Sequence, residues 1–282
     1  MRATIDIYCP ICQAELHILE GSRATLACDA NHRFDPAKQG YYNFLTGAGT
    51  KFLEDTAPMV AARERFQATG HYSPLAQELI ERARAIPASP PSNIVDAGAG
   101  TGYYLGEILQ ANALPEASAL ALDISRYAMR RAAKLPKTTA VVWDLWRRLP
   151  AADGSCDLVL NCFAPHNPAE FARVLRPTGR CIVVTGLPDH LKEVREPLGM
   201  LGIGDNKRAQ LLEKFSPAGL ELLDEKHLRH EFSATAQQLA DLAFMGPAGH
   251  HQALADLEQI AAGLGPQTVT AAFGIYVFGY RS

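Results

Sequence analysis

At 282 residues the chain is long enough for one large domain, or a domain with an accessory module, and for a full hydrophobic core. Hydrophobic content of 48% with 20% charged residues is ordinary for a soluble globular protein, and no apolar run approaches the roughly 20 residues that span a bilayer. A net charge of -3 argues against a protein that coats nucleic acid non-specifically. The start, Met1-Arg2-Ala3-Thr4-Ile5-Asp6, has no long apolar stretch, so no signal peptide and no membrane partner are expected, and a cytoplasmic location follows.

Residues 1–52 are short-patterned, turn-rich and hold three of the six cysteines. Residues 53–282 read as a helical linker followed by an α/β domain. A helix is predicted from Thr56, with Asp55 or Thr56 as its cap, to about Gly70. A second is predicted with Ser73 as cap, Pro74 at its first position and Leu75, Leu79, Ile80, Ala83 and Ile86 on one face. Strands and helices then alternate: strand 93–96, helix 103–112, strand 118–123, helix 125–135, strand 139–143, strand 157–161, helix 168–175 and strand 180–185. Alternation at this spacing implies a parallel, Rossmann-like sheet. Further on, helices near 189–200 and 205–214, a strand near 219–227, a helix near 233–244 and a long last strand from about 267 to 279 are expected. A final strand with no helix after it suits an antiparallel insertion into the sheet, as methyltransferase sheets have and dinucleotide dehydrogenases do not.

Cys9-Pro10-Ile11-Cys12 and Cys28-Asp29-Ala30-Asn31-His32 form a C-x2-C-x15-C-x3-H pattern. Three thiolates and one imidazole supply the four tetrahedral ligands of a zinc ion. With Cys9, Cys12, Cys28 and His32 all used, no position is left for water, so the site is expected to be structural. His17, between the pairs, is a spare. Cys156, Cys162 and Cys181 fall in or beside apolar runs and read as small core residues.

The most informative stretch is Ile94-Val95-Asp96-Ala97-Gly98-Ala99-Gly100-Thr101-Gly102-Tyr103. An apolar run ends in an acid, a glycine-rich turn follows, and Asp123 stands 21 residues past Gly102 at the end of the next apolar run. Glycines let the backbone approach a ligand, and an acid at that second position accepts from ribose hydroxyls. Asp96, before the first glycine, would repel a pyrophosphate but attract an amino group and a sulfonium. The pattern therefore favours S-adenosylmethionine over a nicotinamide dinucleotide, with Asp96, Gly98, Ala99, Gly100, Gly102 and Asp123 in its site. Asp144, after the third strand, is placed to accept from the adenine amine, with a helix cap as the plain alternative. Asn161-Cys162-Phe163-Ala164-Pro165 follows the fourth strand, where substrates meet the cofactor, and is loosely similar to the loop with which amine methyltransferases hold a flipped base.

Together these residues carry a resemblance. The Cys3His finger runs into Phe34-Asp35-Pro36-Ala37-Lys38-Gln39-Gly40-Tyr41-Tyr42-Asn43-Phe44-Leu45, then come Met59-Val60-Ala61-Ala62-Arg63, Gly70-His71-Tyr72-Ser73-Pro74-Leu75, the glycine loop, Phe163-Ala164-Pro165, Asp189-His190-Leu191 and Met245-Gly246-Pro247. Over essentially its whole length the chain resembles the RlmA family of 23S rRNA (guanine-N1)-methyltransferases, nearest the Gram-positive branch whose members give tylosin or mycinamicin resistance. Thr101 after Gly100 supports that branch. The resemblance implies a class I S-adenosylmethionine-dependent methyltransferase fold, a finger that helps grip an rRNA hairpin loop near the macrolide site, cofactor contacts from Tyr72 and His190, and a homodimer.

Guanine N1 must lose a proton in such a reaction. His71, His166 and Asn161 are the candidates, with His166 best placed and a surface histidine the plain alternative; Phe163 is a candidate stacking residue. Seven Lys/Arg between Arg126 and Arg148, with Arg33 and Lys38 of the finger, are candidate phosphate contacts. The competing readings are a small-molecule (natural-product or quinone) methyltransferase and a catalytically inactive zinc-ribbon binding protein.

Overall fold

The computed structural model describes residues 6–22, 24–47 and 49–281. Residues 1–5, on which the expectation about a signal peptide rests, lie outside the described residues.

The finger opens the chain with three two-residue strands, β1 (His17–Ile18), β2 (Leu26–Ala27) and β3 (Arg33–Phe34), joined as a small antiparallel sheet. β4 (Tyr42–Asn43) leaves it and pairs in parallel with β7 of the main sheet. α1 (Ala57–Gln67) starts at Thr56, whose hydroxyl accepts from the Met59 amide. α2 (Ser73–Arg84) begins one residue earlier than expected. Tyr72 is its cap residue, Ser73 is its first turn, and no side chain caps it.

The sheet proper is β5 (Asn93–Ala97), α3 (Tyr103–Gln110), β6 (Ser118–Asp123), α4 (Arg126–Ala132), β7 (Thr138–Val142), β8 (Cys156–Cys162), α5 (Pro168–Val174) and β9 (Leu175–Gly186). After it come α6 (Lys207–Phe215), β10 (Glu221–Ala234), α7 (Ala236–Phe244), α8 (Leu254–Leu264) and β11 (Gln267–Gly279). The strand order is β10-β11-β9-β8-β5-β6-β7-β4, with β11 inserted antiparallel between β9 and β10 and parallel pairing from β9 to β4. The order reverses at β5, so a crevice opens between the carboxyl ends of β5 and β8.

Three expectations need correction. Residues 189–200 form turns, not a helix. Leu191 has φ +56°, its amide donates across to Thr270 of β11 at 2.7 Å, and Pro197 lacks the amide a helix would need. α8 was not foreseen. β10 runs on to Ala234, and α7 starts after it, because Leu228–Ala234 pair with Gln267–Phe273 despite a charged sequence.

Two apolar layers cover the sheet. On one face Met59, Phe66, Leu75 and Leu79 pack with Leu239 of α7. On the other, Cys9, Leu26, Phe34 and Phe44 share a layer with Val95, Leu120, Trp143 and Phe171. Ile7 bridges to Ala151, and the Phe34 and Phe44 rings lie 4.7 Å apart. The finger is thus seated on the sheet and is part of its core.

Candidate active site

The four finger ligands come together as expected. Cys9, Cys12, Cys28 and His32 present their ligand atoms within 4.8 Å of one another. Cys12 and Cys28 sulfurs are 3.6 Å apart, and His32 Nδ1 is 3.4 Å from Cys28 Sγ and 3.6 Å from Cys9 Sγ. A tetrahedral zinc with bonds of about 2.3 Å needs ligand atoms roughly 3.7 Å apart, so the donor set fits the ion. His17 is exposed on β1 and outside the cluster.

At the crevice a cavity of about 1110 Å³ is lined by Asp96, the turn Gly98–Thr101, Asp123, Asp144, Phe163, His166, Tyr72 and His190. Each expected residue of the glycine loop has a physical reason. Gly98, φ +88°, lies against the loop after β8: a Cβ there would meet the Ala164 Cβ at 2.2 Å. Gly102, φ +80°, lies against Leu135 and Ala132 behind α4. The amides of Gly98 and Ala99 both donate to Leu122, at 2.8 and 3.0 Å, which ties the turn to the next strand. Gly100 donates to Asp123 Oδ2 at 2.9 Å, and Ser125 to Oδ1 at 2.8 Å.

Asp96 is 3% exposed, and no donor among the described residues reaches its carboxylate. Burial, and then the Asp123 charge, push its pKa up to about 8. Burial raises Asp123 as well, against the two amides that hold its charge. A buried acid without a donor can take a cationic group as its partner, which would favour the ionised form. Asp144 accepts from Thr50 Oγ1 at 2.9 Å and from the Trp146 amide at 3.0 Å, so both its oxygens also organise its own loop.

Tyr72 and His190, 118 residues apart, meet over the cavity with Tyr72 Oη 3.3 Å from His190 Nε2. His190 Nδ1 accepts from the Ala272 amide at 3.1 Å, so in the neutral ring Nε2 carries the proton and donates to Tyr72. The tyrosine proton is left to point elsewhere. Burial, and then Arg195, push the His190 pKa down to about 4, which keeps the ring neutral.

Sequence reasoning missed Arg195 and Arg63. Arg195 lines the cavity with Nη1 buried and unpartnered, while Nη2 donates to Pro188 at 2.5 Å. Arg63 reaches Asp55 at 2.6 Å and lies beside Gly100. Arg63 closes the Met59–Arg63 segment of the resemblance, which gives it no role, and Arg195 lies in no motif; the face of α1 and the turn after β9 bring them to the cavity. His71 stacks on Phe232 at 4.4 Å, hydrogen-bonds Gln238 and does not line the cavity, so it is no base candidate. His166 is not a surface residue: its ring is largely buried and lines the cavity.

The basic set is mostly engaged internally. Arg126 pairs with Glu54, Arg131 with Glu64, Arg148 with Asp153, and Arg147 donates to the Gly49 carbonyl. Cys156 and Cys181 are buried core residues, whereas Cys162 reaches the cavity wall.

The comparisons with known proteins agree with this geometry. A zinc-ribbon model described as RlmA, N-terminal, matches residues 7–46, and a methyltransferase-domain model matches 94–179. A Micromonospora griseorubida protein, provisionally named a 23S rRNA (guanine-N(1)-)-methyltransferase, is 42% identical over 94% of each chain. The chain belongs to the RlmA-type 23S rRNA (guanine-N1)-methyltransferases. The 23S rRNA (guanine(748)-N(1))-methyltransferase of Streptomyces fradiae is also similar to this RlmA-type enzyme, 41% identical over 89% of each chain. Among solved structures, a chain from the complex of the Haloferax volcanii Trm112 methyltransferase activator with its methyltransferase has TM-score 0.52 at 18% identity. It covers 82% of this chain and all of its own, and it speaks for the class I fold alone.

Proposed function

We propose that this enzyme methylates N1 of one guanine in a 23S rRNA hairpin loop near the macrolide site. The guanine corresponds to the 748 in the name of the Streptomyces fradiae relative, and the modification changes macrolide sensitivity. The observation that carries the reading is the finger-to-sheet unity: a zinc ribbon packed into the methyltransferase core, with the similarity to the two actinobacterial relatives running through both. A small-molecule methyltransferase has no use for such a module.

Bound S-adenosylmethionine supplies an electrophilic methyl on a good leaving group, and the rest is positioning. The chain's residues divide that work. Asp96 and the turn Gly98–Gly102 hold the cationic amino-acid end, and the Tyr72 hydroxyl and the free Arg195 nitrogen face its carboxylate. Asp123 takes the ribose hydroxyls, and Asp144 borders the adenine. Zinc at Cys9, Cys12, Cys28 and His32 holds the finger in shape. The rRNA substrate supports a cytoplasmic location. No helix among the described residues is long and apolar enough to cross a membrane. The resemblance further supports a homodimer around the RNA, which sedimentation velocity tests.

The functional test is incubation with labelled S-adenosylmethionine and unmodified 23S rRNA, followed by nucleoside mass spectrometry. 1-Methylguanosine at one hairpin guanine is expected. Intact cofactor binding without transfer to rRNA moves the assignment to a small-molecule acceptor.

A further inference from the structure

Asn161 is fully buried at the end of β8. Its amide nitrogen donates to the carbonyls of Ala97 at 2.7 Å and Pro165 at 3.1 Å. Both partners can only accept, so the orientation of the amide is fixed and Oδ1 is an acceptor. That oxygen lies 2.6 Å from Nδ1 of His166. Nδ1 must therefore carry the proton, and in the neutral ring Nε2 is a bare acceptor. No donor among the described residues meets it, and the ring lines the cavity.

The surroundings keep the ring in this state. Burial first, then the charges of Lys214 and Lys207 of α6, push the His166 pKa down to about 4. Lys207 also lines the cavity and has no carboxylate within ion-pair reach among the described residues. A cation there disfavours the imidazolium and can donate to guanine O6.

The loop that bears His166 is held against the cofactor turn by the Gly98–Ala164 contact. Phe163 in the same loop has φ +55° and is 46% exposed, although its neighbours Tyr104 and Phe273 offer it an aromatic wall. A bulky residue rarely adopts that region of backbone space. Its amide donates to the Val184 carbonyl at 3.0 Å, which holds it there. In this conformation the ring lines the cavity, where an unstacked base can lie against it.

We propose that His166 is the general base of the reaction, with Asn161 positioning its ring and Phe163 stacking the target guanine. This rests on the rRNA reading given above. The guanine N1–H bond breaks toward His166 Nε2. The electron pair of N1 forms the N–CH3 bond, and the carbon–sulfur bond breaks with its pair left on sulfur. The positive charge leaves the sulfonium and ends on the imidazolium, which gives its proton to water once the product has gone. A weak base suffices, because N1 becomes strongly acidic as it bonds to the methyl carbon.

The test compares wild type and H166Q in single turnover on unmodified 23S rRNA, with cofactor affinity measured by calorimetry and RNA affinity by filter binding. H166Q is expected to lower the rate by about 10²-fold or more with both affinities unchanged. Its remaining rate should climb with pH as N1 ionises unaided, while the wild-type rate stays flat. A variant rate within about threefold of wild type, or one without that climb, overturns the inference but not the rRNA reading. A wild type that makes no 1-methylguanosine overturns both. Nitrogen NMR of the His166 ring in the wild-type protein gives a check independent of any variant. A proton on Nδ1 with bare Nε2 is expected, and the opposite tautomer overturns the assignment.

Discussion

Gly98 of the cofactor turn and Ala164 of the loop after β8 lie so close that a Cβ on Gly98 would stand 2.2 Å from that of Ala164. Two loops from neighbouring strands, both lining the cavity, are thereby fixed to each other. G98A should force them apart, with the φ of +88° adding strain. A loss of about 2–4 kcal/mol in stability is expected, with cofactor affinity lowered at least tenfold. Denaturant unfolding and calorimetry check it, and an unchanged affinity would separate the two loops functionally.

Asp96 gives a pH signature. Its folded pKa is raised to about 8, above its unfolded value, so the native state binds the proton more tightly than the unfolded one. The sign follows: unliganded stability falls as pH rises from about 4 to about 8 and levels off beyond. S-adenosylmethionine needs the ionised form, so its affinity rises over the upper part of that window and its binding releases a proton. D96N should flatten both slopes and weaken binding. Calorimetry in buffers of different ionisation enthalpy measures the proton, and no release in wild type would contradict the role given to Asp96.

Y72F removes one hydroxyl from the cavity. The hydroxyl that accepts from His190, and that is proposed to face the cofactor carboxylate, goes, but the ring packing against Phe66 and Phe273 remains. Cofactor affinity should fall about tenfold at nearly unchanged stability. Equal losses in both would make the hydroxyl a structural group only.

Zinc removal should be felt well beyond the finger. Phe34 and Phe44 pack with Trp143 and Val95, so loosening the Cys3His cluster opens one face of the sheet. H32A or exhaustive chelation is expected to lower the melting temperature of the whole chain in one transition and to weaken cofactor binding. Two separate transitions, with cofactor binding intact, would show the finger to be an independent module.

Much of this was legible in the sequence because its signals are local. Asp96 and Gly98–Gly102 lie in one short segment, and the two ligand pairs of the finger declare themselves by spacing. The last strand reveals itself by its apolar length and by what does not follow it. Other parts were hidden for physical reasons. α8 starts at Leu254 behind Ala253, which has no capping side chain, so nothing announces its start. The charged half of β10 is a strand only because β11 pairs with it. Residues 189–200 look helical by pattern, but Leu191 spends its amide on Thr270. The Asn161–His166 bond depends on the close turn at Pro165, and Arg195 reaches the cavity only through the fold.

The central claim is most directly tested by sequencing the methylated position. Unmodified 23S rRNA is incubated with the enzyme and S-adenosylmethionine, and the modified nucleoside is mapped by mass spectrometry of nuclease fragments. One 1-methylguanosine, in the hairpin loop that holds the guanine equivalent to 748, is the expected result. Methylation of another atom, or of no RNA position while the cofactor binds normally, would contradict it.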